Sequence, residues 1–456
     1  MRYVSTRGQT EPMPFQDAVL TGLAPDGGLL IPETIPDVSA NLEEWRDLSF
    51  AELALEIVTR FCDDIPRDEL AAIIERSYAT FDHADVTPAV AVGDLHVLEL
   101  FHGPTLAFKD VALQLLGNLF EHILSRRGET LNILGATSGD TGSAAIAGVR
   151  GHKGINIFIM FPRGRTSRVQ ELQMTTVPDD NVHTLSVAGS FDDCQAIMKS
   201  TFRDLPFKAA HHLGAVNSVN WARVLAQIVY FFHAALRVGA PNAPVSFSVP
   251  TGNFGDIFAG WLAARMGLPI DRLVLATNEN DILSTFFNTG AYRRGDVRFT
   301  VSPSMDIQVA SNFERFLYYR LGEDAGALRA AMETFSGAGE LCIDDGRPMD
   351  ELIAARASNT EETFATIREF WSEHGYLLDP HTAVGVAVGR RLRTEAQLVC
   401  LATAHPAKFP ESVEKAVGAD IARHPRVEAL KGLPARSQEI EADEDAIKAL
   451  IARRTS

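Results

Sequence analysis

A single lysine draws attention because of where it sits. His102-Gly103-Pro104-Thr105-Leu106-Ala107-Phe108-Lys109-Asp110 runs from an apolar stretch into a helical pattern over residues 111–123. A helix start favours acids over ammonium groups. Lys109 is therefore either an exposed residue or a buried one held neutral. Burial against Leu106 and Phe108 lowers a lysine's pKa, and the neutral amine is the form that makes Schiff bases. Three other segments read as strand-end turns. Gly135-Ala136-Thr137-Ser138-Gly139-Asp140-Thr141-Gly142 closes an apolar run and opens a helix. It suits an anion held by backbone N–H groups, and equally a capping turn with Ser138 or Asp140 as N-cap. Pro250-Thr251-Gly252-Asn253-Phe254-Gly255-Asp256 repeats the arrangement. Its glycines would let backbone approach a phosphate, although an ordinary strand-to-helix turn fits too. In Leu401-Ala402-Thr403-Ala404-His405-Pro406-Ala407-Lys408-Phe409, Thr403 points to the same crevice, and His405 is a base or a structural histidine before proline. One lysine with three such turns, two of them suited to anions, suits a phosphate-bearing aldehyde held as a Schiff base: pyridoxal 5′-phosphate.

The elements that must position these groups alternate. Apolar runs at residues 131–134, 155–161, 182–187, 245–249, 273–276 and 397–402 are separated by helical segments. This pattern predicts an α/β fold of parallel sheets with helices on both faces. Ligands on such sheets bind beyond the carboxyl ends of the strands, where the turns lie. Residues 1–93 read differently, as a small, mostly helical N-terminal domain with helices over 50–61 and 67–80 and a turn feeding a short strand at 24–32. Residues 94–456 form the expected catalytic domain. Within it, 310–380 is rich in helix formers and reads as a helical lobe, with helices at 313–321, 326–335, 350–355 and 360–372.

The composition narrows the function. The 456 residues carry 42 Lys+Arg against 59 Asp+Glu, a net charge of −17. That balance argues against non-specific nucleic-acid binding, which rests on Lys and Arg at phosphates. There is no G-x-x-x-x-G-K-[ST] motif, and Gly337-Ala338-Gly339 has no third glycine in place. Cys62, Cys194, Cys342 and Cys400 are far apart, without metal-ligand spacing, and read as buried reduced thiols. No metal is expected. The apolar runs are too short to cross a bilayer, and the start shows no signal-peptide core. The expected setting is the cytoplasm.

Together these segments resemble the threonine synthases, in the longer form with an added N-terminal domain. The resemblance rests on Tyr3-Val4-Ser5-Thr6-Arg7-Gly8, Asp26-Gly27-Gly28-Leu29, Gly103 to Asp110, Thr137 to Gly142, Val216-Asn217-Ser218-Val219-Asn220, Gly252 to Gly255, Ser311-Asn312-Phe313-Glu314-Arg315 and Asp379-Pro380-His381-Thr382-Ala383, all in order. It implies a fold-type II pyridoxal-phosphate enzyme, tryptophan synthase beta-like, with two α/β lobes and the site between them. The implied reaction converts O-phospho-L-homoserine and water to L-threonine and phosphate, by γ-elimination and then β-addition of water. The implied Schiff-base and acid/base residue is Lys109. Gly252, Asn253, Phe254 and Gly255 would hold the cofactor phosphate, Thr403 the pyridine nitrogen, and Asp140 would lie near the ring. Ser138 and Thr141 would contact substrate, with Arg165 and Asn217 as candidates for its phosphate. One departure is Ser167-Arg168-Val169-Gln170, with arginine where proline is expected. Rival readings are another fold-type II enzyme, such as a dehydratase, cysteine synthase or phospho-lyase, or a non-catalytic binder of phosphorylated metabolites. Monomer and homodimer both remain open. Closure of the site by the N-terminal domain or the helical lobe is expected.

Overall fold

The apolar runs become strands, and they divide between two sheets. The computed structural model describes residues 1–137 and 139–455. One sheet has six strands in the order Ile353–Ala357, Ile270–Thr277, Val245–Pro250, Gln397–Ala402, Leu95–Glu99 and Ala89–Val92. Its strands run parallel except for the edge pair Ala89–Val92 and Leu95–Glu99, which is antiparallel. The other sheet has five parallel strands in the order Ser437–Glu441, Val182–Ala188, Ile155–Pro162, Leu131–Ala136 and Leu213–Gly214. Every residue of Val245–Pro250 is buried, as expected of a central strand covered on both faces. Helix Trp221–Val238 is buried over nearly its whole length, which explains why its sequence is mostly apolar.

Several elements differ from the expectation. The sequence change near residue 93 is the tip of a hairpin, with Gly93 at φ +61° between Ala89–Val92 and Leu95–Glu99. Residues 350–355 do not form a helix. Strand Ile353–Ala357 takes the second half of that stretch and pairs in parallel with Ile270–Thr277. Sheet pairing there overrides the helix preference of Leu and Ala. The 310–380 segment is thus not purely helical, although Phe313–Arg320, Ala325–Ala338 and Thr360–His374 are helices. Strand Ser437–Glu441, polar and mostly exposed, was not legible as a strand. Cys342 is exposed, unlike the other three cysteines.

The first eighty residues share a continuous core with the helices behind both sheets. Helix Phe50–Thr59 starts with a capping box between Ser49 and Glu52. It packs Phe50 edge-on to Tyr78 (4.8 Å) and to His233 (5.3 Å). The Tyr3 ring meets Trp221 at 5.8 Å, and its hydroxyl donates to the Phe61 carbonyl at 2.7 Å. Two of the quoted motifs meet. The Glu314 carboxylate accepts from the Thr6 hydroxyl (2.8 Å), Arg7 Nε (3.1 Å) and Arg7 Nη2 (3.0 Å). The fully buried Arg315 donates to the carbonyls of Leu30 and Val219. No helix among the described residues is long and apolar enough to cross a membrane.

Candidate active site

Lys109 is the first residue of helix Lys109–Arg127, and it is buried. The turn before it is built around Asp110, whose carboxylate accepts from the Thr105 N–H (2.8 Å) and hydroxyl (2.7 Å). Gly103 lies against that carboxylate, where a Cβ would come within 2.4 Å of Asp110. Leu106 holds φ +62°, a left-handed conformation that costs a leucine about 1 kcal/mol. Such strain persists only where the surroundings fix it. Here Leu106 is pinned by backbone pairing, since His405 N–H donates to its carbonyl (3.0 Å) and Phe108 N–H donates to Thr403 O (2.9 Å). The Lys109 turn and the Thr403 turn are therefore one structure.

The Lys109 ammonium lies 3.7 Å from Asp140 Oδ2. On its other oxygen Asp140 meets Lys408 Nζ at 3.0 Å and the Gln170 amide at 2.8 Å. Burial pushes Lys109 below the ordinary lysine range; Asp140 opposes the shift, while Lys408 and Arg223 add to it. Burial would raise Asp140, but Lys408 and Lys109 outweigh it and hold the carboxylate well below its usual range. The result is an amine easily deprotonated beside a carboxylate that stays charged. Asp140 is the first residue of its helix, after Gly139, and does not serve as its N-cap. Ser138 lies outside the described residues, so its expected substrate contact is untouched by these observations.

The Gly252–Gly255 turn leads into helix Gly255–Arg265. A Cβ at Gly252 would meet the Ser304 carbonyl at 2.8 Å, so only glycine fits this approach. Asn253 O accepts the Asn312 N–H at 3.0 Å, tying the turn to the Ser311–Arg315 motif. Phe254 holds φ +64°, and its ring leaves the turn for an aromatic cluster with Phe287, Phe313 and Phe316. Phe254 can therefore offer a ligand only its backbone. Next to it, Asp256 is buried, accepts from the Tyr230 hydroxyl, and leaves Oδ2 without a partner. Burial pushes this carboxyl up to about 7, against the opposing Tyr230 hydrogen bond and Lys109.

The remaining expected residues are less closely joined. Thr403 is buried at the end of Gln397–Ala402. Thr141 and Asn217 are half-buried, and Asn217 Oδ1 accepts the Val219 N–H at 3.2 Å. Arg165 is exposed on the turn after Ile155–Pro162, where its charge is felt by Asp193. Nothing joins it to the Lys109–Asp140 pair among the described residues. Arg168, where proline was expected, is an exposed start of helix Arg168–Thr175, and Gln170 from that helix reaches Asp140.

Two functional groups escaped the sequence reading. Lys408 is fully buried, with its ammonium also on Thr105 O (2.6 Å) and Gln173 Oε1 (2.7 Å). Arg223 is buried on helix Trp221–Val238 with Nε and Nη1 unpartnered. Burial alone lowers it to about 10. An arginine in the first turn of a mostly apolar helix was the available signal. An unpaired buried guanidinium is costly and waits for an anion. Its charge reaches Lys109. The glycine turn and the neutralised amine fit a phosphate-bearing aldehyde, and Arg223 leaves donors for a further anion beside Lys109.

Comparison with known proteins agrees with this geometry. Residues 2–78 match the family model described as threonine synthase N terminus. Residues 87–403 match the model for pyridoxal-phosphate dependent enzymes, and 382–451 that for the threonine synthase C-terminal region. The threonine synthase of Pseudomonas aeruginosa is 49% identical over 91% of this chain and 90% of its own length. The crystal structure of pyridoxal-phosphate-bound threonine synthase from Brucella melitensis superposes with a TM-score of 0.97, at 46% identity over 100% of this chain and 99% of that one. The yeast enzyme gives a TM-score of 0.95 at 43% identity over 99% and 98%. The chain has the fold of the fold-type II pyridoxal-phosphate enzymes, and within them it belongs to the threonine synthase family.

Proposed function

We infer that the protein is a threonine synthase that uses pyridoxal 5′-phosphate to convert O-phospho-L-homoserine and water to L-threonine and phosphate. The observation that carries this reading is the buried Lys109 amine, depressed by its surroundings and set 3.7 Å from a carboxylate that stays ionised. Bound there, the cofactor supplies an electron sink for charge developing on the substrate carbons. Lys109 Nζ is the group that would hold the cofactor aldehyde, and as a free amine it would take protons from the substrate α and β carbons. Asp140 steadies the ammonium that results, and Lys408 with Gln170 fixes Asp140. The backbone of Gly252 to Gly255 receives the cofactor phosphate. Thr403 offers the pyridine nitrogen a hydroxyl, which does not hold that nitrogen protonated as a carboxylate would.

We assign the substrate phosphate to Arg223, with Asn217 leading into its helix, in place of the exposed Arg165. Thr141 remains our proposed contact to the substrate. We also propose that the residues before strand Ala89–Val92 act as a unit laid over the rest of the chain and help exclude water from the reacting carbons. The widely spaced free cysteines favour a cytoplasmic setting.

The test is a product assay with O-phospho-L-homoserine, beside Lys109→Ala. Threonine and phosphate in equal amounts, absent in the variant, are expected. Phosphate with 2-oxobutyrate and no threonine would make the protein a phospho-lyase and overturn the hydration step.

A further inference from the structure

A cavity of about 400 Å³ opens beside the loops that carry Lys109 and Thr403. Residues of both loops line it, but none of Lys109, Asp140 and Lys408 does. It is rich in histidine, and the backbone sets two of the rings. His405 Nδ1 accepts the Ala407 N–H at 3.1 Å, and His424 Nδ1 accepts the Arg426 N–H at 3.2 Å. A ring nitrogen that accepts a hydrogen bond does not carry the proton, so in both neutral rings the proton is on Nε2. Both rings are neutral at pH 7. Burial pushes His405 down to about 4, and burial with Arg426 lowers His424. The two imidazoles meet edge-on, with centroids 4.7 Å apart. Neither Nε2–H has an acceptor among the described residues.

Among the described residues the cavity is poor in acceptors, with His102 Nδ1 left bare because Nε2 is the ring nitrogen on Glu99. Its one carboxylate, Glu99, is engaged on both oxygens, by His102 Nε2 at 2.7 Å and by the Tyr376 hydroxyl at 2.6 Å. At the rim Arg423 is paired with Asp420 and Glu428, and Phe101, Leu377 and Ile421 supply apolar wall. Donors on one side and hydrocarbon on the other suit a short aliphatic chain ending in a carboxylate. An ammonium would find only His102 Nδ1 and the already engaged Glu99.

We propose that this cavity is a second ligand site, which takes a small aliphatic carboxylate with its head on the Nε2–H groups of His405 and His424. Its occupancy reaches the active site through His405. That residue's N–H donates to Leu106 O, and its carbonyl accepts the Lys408 N–H at 3.0 Å. A ligand that pulls on the His405 ring therefore acts on the turn before Lys109 and on the lysine that holds Asp140. The binding half of the proposal does not depend on the reaction assigned above.

The test uses the holoenzyme with sodium butyrate as probe and butylamine as the control of opposite head-group. Imidazole NMR signals of His405 and His424 report occupancy. Butyrate is expected to shift both signals saturably, and butylamine neither. His424→Asn keeps a side-chain acceptor for the Arg426 N–H but removes the Nε2 donor. It should weaken butyrate binding by about tenfold or more, the usual effect of losing one hydrogen bond to a charged group. Unliganded turnover and melting temperature should stay at parental values. His424→Gln, with an amide near the Nε2 position, should recover part of the affinity. Equal affinity of parent and His424→Asn, equal shifts by the two probes, or no saturable shift overturns the site. In kinetics, butyrate is expected to change turnover in the parent and not in His424→Asn. Inhibition of the same size in both proteins would mean binding at the active site only, and would overturn the coupling.

Discussion

The ammonium of Lys408 is completely buried and sits 3.0 Å from Asp140 Oδ1, on the side of that carboxylate away from Lys109. The same nitrogen donates to Thr105 O and Gln173 Oε1. One lysine thus holds together the turn before Lys109, the loop after Thr403 and the helix that follows Ser167.

Lys408→Met should act through Lys109. Removing the Lys408 charge takes away one of the influences that lower Lys109 and leaves Asp140, which raises it. The Lys109 pKa rises, so the activity that needs its neutral amine should move to higher pH. Stability should fall by about 3–5 kcal/mol, as when one partner of a buried pair is lost. The pH profile of kcat and a urea titration check both, and an unmoved profile would exclude this role.

Asp256 predicts a pH-dependent stability. Its carboxyl is pushed up to about 7 in the folded protein, against about 3.9 unfolded. The unfolded chain loses this proton first, so folding takes a proton up between those values, and stability falls as pH rises through that window. The loss is on the order of 4 kcal/mol at full extent. Asp256→Asn, which can still accept from Tyr230, removes this slope. Denaturation of the cofactor-free protein at a series of pH values should show parent and variant converging at the acid end and the variant more stable above neutrality.

Arg223→Met separates binding from folding. If the unpaired guanidinium receives the substrate phosphate, kcat/KM should drop about ten- to a hundredfold, mostly through KM. Yet the unliganded protein should be no less stable, because the variant removes a buried charge that has no partner on Nε or Nη1. A variant that unfolds readily while keeping KM would show that Arg223 is structural.

The Arg7–Glu314 pair predicts an order of effects. Glu314 is 7% exposed and Arg7 30% exposed. Glu314→Gln disturbs three hydrogen bonds at a buried acceptor and should cost about 1–3 kcal/mol. Arg7→Met leaves the buried Glu314 charge with Thr6 alone and should cost more, about 3–5 kcal/mol. Urea midpoints of the two variants give the comparison, and the reverse order would contradict the burial argument.

That Lys109 and Asp140 lie at strand ends could be read from the sequence, because each sits in a turn whose small residues and glycines follow a strand. Lys408 could not. Its neighbours Pro406 and Phe409 are legible as apolar, but what buries it comes from Thr105 and Gln173, far away in the chain. Phe254 was legible as part of a phosphate cup, yet its left-handed backbone sends the ring away to Phe287 and Phe313. Strand Ile353–Ala357 looked helical because its residues favour helix, and only its partner Ile270–Thr277 decides otherwise. Local pattern carries the turns, whereas long-range pairing carries the burial.

Strand Gln397–Ala402 lies inside the six-stranded sheet, between Leu95–Glu99 and Val245–Pro250. On the ribosome, both of those neighbours emerge long before the strand that joins them. Until then each presents an open row of backbone donors and acceptors, the kind of edge that pairs with foreign chains. The nascent protein must therefore be sheltered until nearly its whole length is made, and such late, distant pairing is slow. Truncation anywhere before residue 402 should leave an aggregating fragment rather than a smaller working enzyme.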